Sequence, residues 1–246
     1  MPVTGLYMAH RVQHTTIPYV KAYGQAVLEN VIPSFENLPQ RADAIASAEF
    51  KRLGQHPARE DWDGDMSVAA EAAQTKGQAF YDTMTAIRQS SLNLFASGLF
   101  HLLEQQLVDL CRDGAFCTPP PKDTKLSVVT KWYIDHFNLD LTKLPAGPKI
   151  EQLRLLANSV KHGEGDSVEK LRIIRPDLFQ DPKIRDLLPD FPEIYTAWAV
   201  HLPMAGEDIF VTTQIFDDFS QAANAFGEEI AEYFIAHQGE YFLVND

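Results

Sequence analysis

The sequence predicts an all-α fold, and three observations carry that expectation. Apolar residues recur at three- and four-residue spacing over long stretches. Helix-stopping glycines and prolines fall where those stretches end. Only one short run, EDIFVTT from Glu207 to Thr213, has the β-branched character of a strand, and a single run does not make a sheet. The 246 residues are 45% apolar and 11% aromatic, so the chain can bury a sizeable core in spite of a net charge of −13.

Taken in order, the first residues, 1–68, read as an N-terminal helical arm, with amphipathic helices from about Tyr19 to Phe35 and about Leu38 to Leu53 followed by the polar QHPAREDWDGDMS. Residues 69–246 read as the helical bundle. Its longest element runs from about Ala69 to Arg112, where Phe80, Met84, Ile87, Leu94, Phe95, Leu99, Leu102, Leu103, Leu107 and Leu110 keep helical spacing. Gly114 and the run Pro119, Pro120, Pro121 end it. A second helix, about Leu126 to Phe137, carries Val129, Trp132, Tyr133 and Phe137. A third opens at Pro148, where a missing donor costs nothing, and runs to His162 with Ile150, Leu153, Ala157 and Val160 facing a core. The proline-rich stretch after it permits only short helical pieces. Asp217 or Asp218 is expected to cap a last helix of about 218–237, carrying Phe219, Ala222, Phe226, Ile230 and Phe234. Irregular insertions complete the bundle.

Composition excludes several function classes. No apolar run approaches the roughly 18 to 20 residues that span a bilayer, and the N-terminus has neither a basic region nor a continuous apolar one, so a cytoplasmic protein without a membrane partner is expected. Cys111 and Cys117 form no metal-binding pattern and read as reduced thiols. Asp61, Asp63 and Asp65 alternate like calcium ligands, but the glycine stands at the fourth position and Ala72 replaces the closing glutamate, so a solvated loop is the expectation. His10 and His14 are spaced as ligands on one helix face but lack a third. His101 reads as a core or interface residue. No GxxxxGK[ST], GxGxxG or GxSxG pattern is present, and no cofactor or metal is expected.

Charge is unevenly spread. Between Lys122 and Arg175 ten Lys or Arg face seven Asp or Glu, which leaves −16 for the rest of the chain, so an anion-binding surface belongs in this middle segment. There the stretch EQLRLLANSVKHGEG, Glu151 to Gly165, places a polar set beside its apolar stripe. At about 100° per residue, Asn158 lies about 40° from Arg154, Lys161 about −20° and His162 about 80°. Gly163 and Gly165 suit the exit of the helix and put His162 in its last turn, where the carbonyl end favours a cation. Arg154 and Lys161 as phosphate clamps, Asn158 as an orienting amide and His162 as a proton-transfer residue suit a phosphodiester. An RNA substrate brings its own nucleophile, the ribose 2′-hydroxyl. The ordinary alternative is a solvated helix face with a basic end.

The order of these elements resembles the HEPN superfamily of prokaryotic helical bundles: an acidic residue amid apolar ones on a long helix, here SGLFHLLEQQLVDLC from Ser97 to Cys111, then a helix resembling the RNxxxH signature, here ANSVKH from Ala157 to His162. The resemblance covers roughly Ala69 to Asp166 plus the last helix. It implies an HEPN-like bundle and metal-independent RNA cleavage, often by toxins of toxin–antitoxin or anti-phage defence systems, with two protomers meeting at the site. Asn158 and His162 match the signature, Ala157 stands where it has arginine, and Glu104 matches the acidic position. Either Arg154 with Lys161 replaces the lost cation, or the chain is an inactive member that binds RNA or a partner, an antitoxin or defence-system protein, without cutting. A homodimer would bring two His162 side chains to one cleft, with Leu92, Leu99 and Phe100 as candidates for the dimer surface.

Overall fold

A computed structural model describes residues 3–55, 66–112, 121, 123–201, 204 and 208–242. Asp61, Asp63, Asp65, Cys117 and Glu207 lie outside them. The all-α class is as expected. A two-residue strand, β1 (Val3–Thr4), leads into α1 (Gly5–Arg11) and α2 (Ile17–Ala26), then α3 (Leu38–Gly54), α4 (Met66–Cys111), α5 (Leu126–Phe137), α6 (Gly147–His162), α7 (Asp166–Ile174), α8 (Pro182–Leu187), α9 (Pro192–Tyr195), α10 (Thr213–Ala236) and β2 (Tyr241–Phe242), which pairs antiparallel with β1.

The chain from Gly5 to Val31 stays helical through two wide turns, Val12–Thr16 and Val27–Val31, where the amides of Ile17 and Ile32 donate five residues back. Each turn immediately precedes an Ile-Pro pair, Pro18 or Pro33. Proline supplies no amide and its ring crowds the carbonyl four residues earlier; the wider turn moves that carbonyl aside. The glycine at the start of α1 has no substitute, because a Cβ at Gly5 would collide with the carbonyls of Phe234 and His237 at the end of α10.

α4 has 46 residues, about 69 Å at 1.5 Å per residue. Its C-terminal half is the axis of the core, with Leu92, Ala96, Leu99, Phe100, Leu103 and Leu107 buried and α2, α5, α6 and α10 packed around it. Its N-terminal half leaves the core and pairs mainly with α3, with the Lys183 ammonium of α8 over the Tyr81 ring at 5.4 Å. There Leu38, Ala42, Ala73 and Gly77 are buried, and a Cβ at Gly77 would press on the Ala42 carbonyl at 2.9 Å.

The packing therefore divides the chain differently from a boundary at 68/69. Met8, Ala9, Val12, Val20 and Val27 belong to the central core, whereas the projecting hairpin takes α3 from the expected arm and the first half of α4 from the expected bundle. Amphipathicity marks that a helix has a partner but not which one. Leu92, Leu99 and Phe100, expected as spare apolar surface for a dimer, are fully enclosed by the chain's own core, at 1%, 0% and 1% exposure.

The β-branched run is not a strand. Ile209 and Val211 are buried as an irregular segment clamped by the side chain of Asn93, and Thr212 caps α10 by accepting from the Ile215 amide at 3.2 Å. α10 thus starts five residues before the expected 218, and Asp217 and Asp218 lie inside it, accepting from Gln221 and Gln214. Cys111 is buried against the Leu107 carbonyl, and burial pushes its thiol pKa up to about 12, as befits an inert core thiol.

Candidate functional site

α6 is held by its apolar stripe. Ile150, Leu153, Leu156, Ala157 and Val160 are buried, and the Ser97 hydroxyl of α4 reaches the Ala157 carbonyl at 3.5 Å. Gly163 ends the helix at φ 71°, and the chain is tied down beyond it: the Met204 amide donates to the Val160 carbonyl at 2.7 Å and the Val200 amide to the Glu164 carboxylate at 2.8 Å. With both ends fixed, the opposite face of α6 cannot rotate away from where it points.

That face forms one wall of a cleft of about 960 Å³, whose other walls are α4, the segment before α5, and α5 itself. Arg154, Asn158, Lys161, His162 and Glu104 all line it. The structure thus brings together the five residues singled out by sequence and adds two more, His101 from α4 and Lys125 before α5. Ala157 lies on the other side at 0% exposure. In this register an arginine at 157 would point into the core, and the cation facing the cleft stands one turn earlier, at 154.

The residues are not equally available. Arg154 is engaged by Glu151, one turn back, through two hydrogen bonds of 2.7 and 2.6 Å. Lys125 pairs with Asp123 at 3.2 Å. Asn158, Lys161 and His162 make no hydrogen bond or ion pair among the described residues and present free polar groups to the cleft. Counting Lys125, Arg154 and Lys161 against Glu104, Asp123, Asp140 and Glu151, the lining is not basic when its histidines are neutral. The local excess of +3 in the middle segment is spread over the surface instead of being focused in the cleft.

Glu104 does more than line the cleft. One carboxylate oxygen accepts from the amide of Leu126 at 3.2 Å, capping the first turn of α5, and the other meets Nδ1 of His101 at 3.1 Å. The carboxylate therefore fixes both the opposite wall and the imidazole beside it. Nε2 of His101 is buried and has no partner, so the ring offers neither nitrogen to the cleft. The sequence signal for the pairing is the acid three residues on in HLLE, on the same helix face.

Burial lifts the Glu104 carboxyl above its ordinary 4.5, against the opposing pull of His101 and the Leu126 amide. A carboxyl that binds its proton more tightly in the folded state stabilises the fold below the unfolded pKa, and that contribution is lost as pH rises through the folded pKa. Glu104→Gln keeps an acceptor for Leu126 without the charge. Its urea midpoint relative to wild type is expected to rise as pH is raised from about 4 through the folded pKa; a difference constant with pH would contradict the assigned shift.

Other candidates stay apart from the cleft. His10 and His14 lie on the surface with ring centroids 4.2 Å apart and planes tilted by 42°, and no group of three His, Cys, Asp or Glu that could hold a metal occurs among the described residues. No helix among them is long and apolar enough to cross a membrane. Compared with protein-family models, curated proteins and solved structures, the chain has no match.

Proposed function

We propose that this cleft cleaves RNA, in the manner expected of an HEPN-like ribonuclease of toxin or defence type. The observation that carries the reading is the convergence of the His162 imidazole with the unpaired side chains of Lys161 and Asn158 on one cleft. Transesterification needs two proton transfers. His162 takes the proton of the 2′-hydroxyl as its oxygen bonds to phosphorus and, as imidazolium, returns a proton to the 5′-oxygen as the P–O5′ bond breaks, leaving a 2′,3′-cyclic phosphate. Lys161 stabilises the charge on the non-bridging oxygens, and Asn158 orients the phosphate. The Glu104 carboxylate holds the His101 ring and the start of α5, and so fixes the wall opposite them.

Purified protein incubated with mixed single-stranded RNA in EDTA is expected to yield cyclic-phosphate ends. His162→Ala should lower the rate by about 10²- to 10⁴-fold, the range for losing one acid–base group, and Lys161→Ala should lower it by less. Intact RNA under all conditions, or cleavage indifferent to both substitutions, would sink the enzyme reading.

A second reading is favoured by the Glu151–Arg154 pairing, which neutralises the cation expected to clamp phosphate: a catalytically silent module that binds RNA or a partner protein. It predicts no cleavage by the wild type, and RNA binding that tightens in Glu151→Ala, where Arg154 is released.

A further inference from the structure

The hairpin of α3 and α4 projects from the core with two unlike flanks. One is closed. Glu49 accepts from Arg52 at 2.9 Å and Lys76 at 2.8 Å, and the Arg41 guanidinium lies over the Phe80 ring at 5.3 Å. The other flank is an open groove of about 860 Å³ with a floor of Ala42, Ala46, Ala73 and Gly77 and with Phe50 and Tyr81 on its walls. Ala42, Ala73 and Gly77 are buried in the seam of the two helices, Ala46 and Phe50 are half-buried, and the Lys183 ammonium of α8 covers the Tyr81 ring at 5.4 Å; the α3 side of the groove stays open.

The charges on that flank point to what fills it. Asp43, Ser47 and Lys51 line the groove at i, i+4 and i+8, a stripe about 12 Å long along one face of α3. Neither Asp43 nor Lys51 has an ion-pair partner among the described residues, and all three are exposed. Opposite charges equidistant from a small central residue are self-complementary under a two-fold axis: laid antiparallel across Ser47, Asp43 of each copy meets Lys51 of the other, twice. We propose that the occupant is the same hairpin of a second copy, so that two α3–α4 hairpins close into an antiparallel four-helix bundle with the α3 helices packed across the axis. The half-buried Ala46 and Phe50 then leave solvent in both copies.

This dimer has a consequence for the cleft. Gly77 and Glu104 are 27 residues apart on α4, about 40 Å at helical rise. A two-fold axis at the hairpin is too far away to bring two His162 residues together, so each cleft works with its own chain's groups.

Light scattering after size exclusion is expected to show a dimer at micromolar concentration. Ser47 is exposed, so Ser47→Arg should keep the fold, checked by circular dichroism, while weakening dimerisation at least tenfold by placing two guanidinium groups on the axis. Asp43→Lys and Lys51→Asp should each weaken the dimer, since each creates two like-charge contacts, and the double swap should restore it. A monomeric wild type overturns the proposal, as does a dimer indifferent to Ser47→Arg or one that the double swap fails to rescue. None of these results depends on whether the cleft cuts RNA.

Discussion

Replacing Phe137 by alanine is expected to destabilise the protein by about 3–5 kcal/mol, the cost of emptying a large aromatic site in a packed core. Phe137 is 1% exposed at the end of α5 and stands edge-on to Phe234 of α10, with ring centroids at 5.1 Å, and to Trp132 and Tyr133 of its own helix at 5.3 Å each. Its carbonyl also accepts from the Tyr233 hydroxyl at 2.6 Å. Val129, Trp132 and Tyr133 also bury α5 in the core, and the Tyr133 hydroxyl donates to the Leu107 carbonyl at 3.2 Å, so the neighbours have little freedom to collapse into the cavity and the upper part of the range applies. Urea denaturation gives the measurement, with Phe137→Leu as a milder control. Because α5 is one wall of the cleft, the alanine variant is also expected to lose activity before it unfolds. A loss of less than 1 kcal/mol would mean that α5 is not anchored by this contact.

Asn93→Leu is expected to cost about 2–5 kcal/mol although leucine matches asparagine in size and suits a core. Asn93 is 0% exposed. Its Nδ2 donates to the Ile209 carbonyl at 2.7 Å, and its Oδ1 accepts from the Val211 amide at 3.2 Å and from Gln89 at 3.1 Å. The amide thereby does for the 209–211 segment what a neighbouring strand would do in a sheet. Leucine leaves the buried Val211 amide without a partner, the Ile209 carbonyl with only the 3.4 Å bond from Gln89, and Gln89 without its acceptor at Asn93, at about 1–3 kcal/mol for each buried group left unpaired. Asn93→Asp separates the two contributions: it retains the acceptor for Val211 but places a carboxylate against the Ile209 carbonyl. It should be destabilised at neutral pH and recover partly at low pH, where the protonated acid can donate. Full stability of Asn93→Leu would show that the segment is held by its apolar side chains alone.

The sequence by itself determined the helical class and the existence of most helices, because three-to-four-residue periodicity follows from which side of a helix meets apolar neighbours, whichever neighbours those are. It also determined that Arg154, Asn158, Lys161 and His162 share a face, since angular position on a helix is a function of spacing alone. Tertiary structure decided everything that depends on partners. Which helices enclose Leu99 and Phe100 could not be read from periodicity, so a supposed dimer surface proved to be core. Wide turns before Pro18 and Pro33 carry the helical path on, so the N-terminal residues join the body. Ile209 and Val211 have the composition of a strand, but with no neighbouring strand among the described residues their backbone is satisfied by the side chains of Asn93 and Gln89, more than a hundred residues away in the chain. His101 entered the cleft because α4 turns that face toward α5, whereas the pair of Glu151 and Arg154 lies within one turn of a single helix and follows from their spacing. A sequence specifies a residue's chemistry and its place on its own helix; which group lies opposite, and hence whether a charge is free or spent, is set by contacts between residues far apart in the chain.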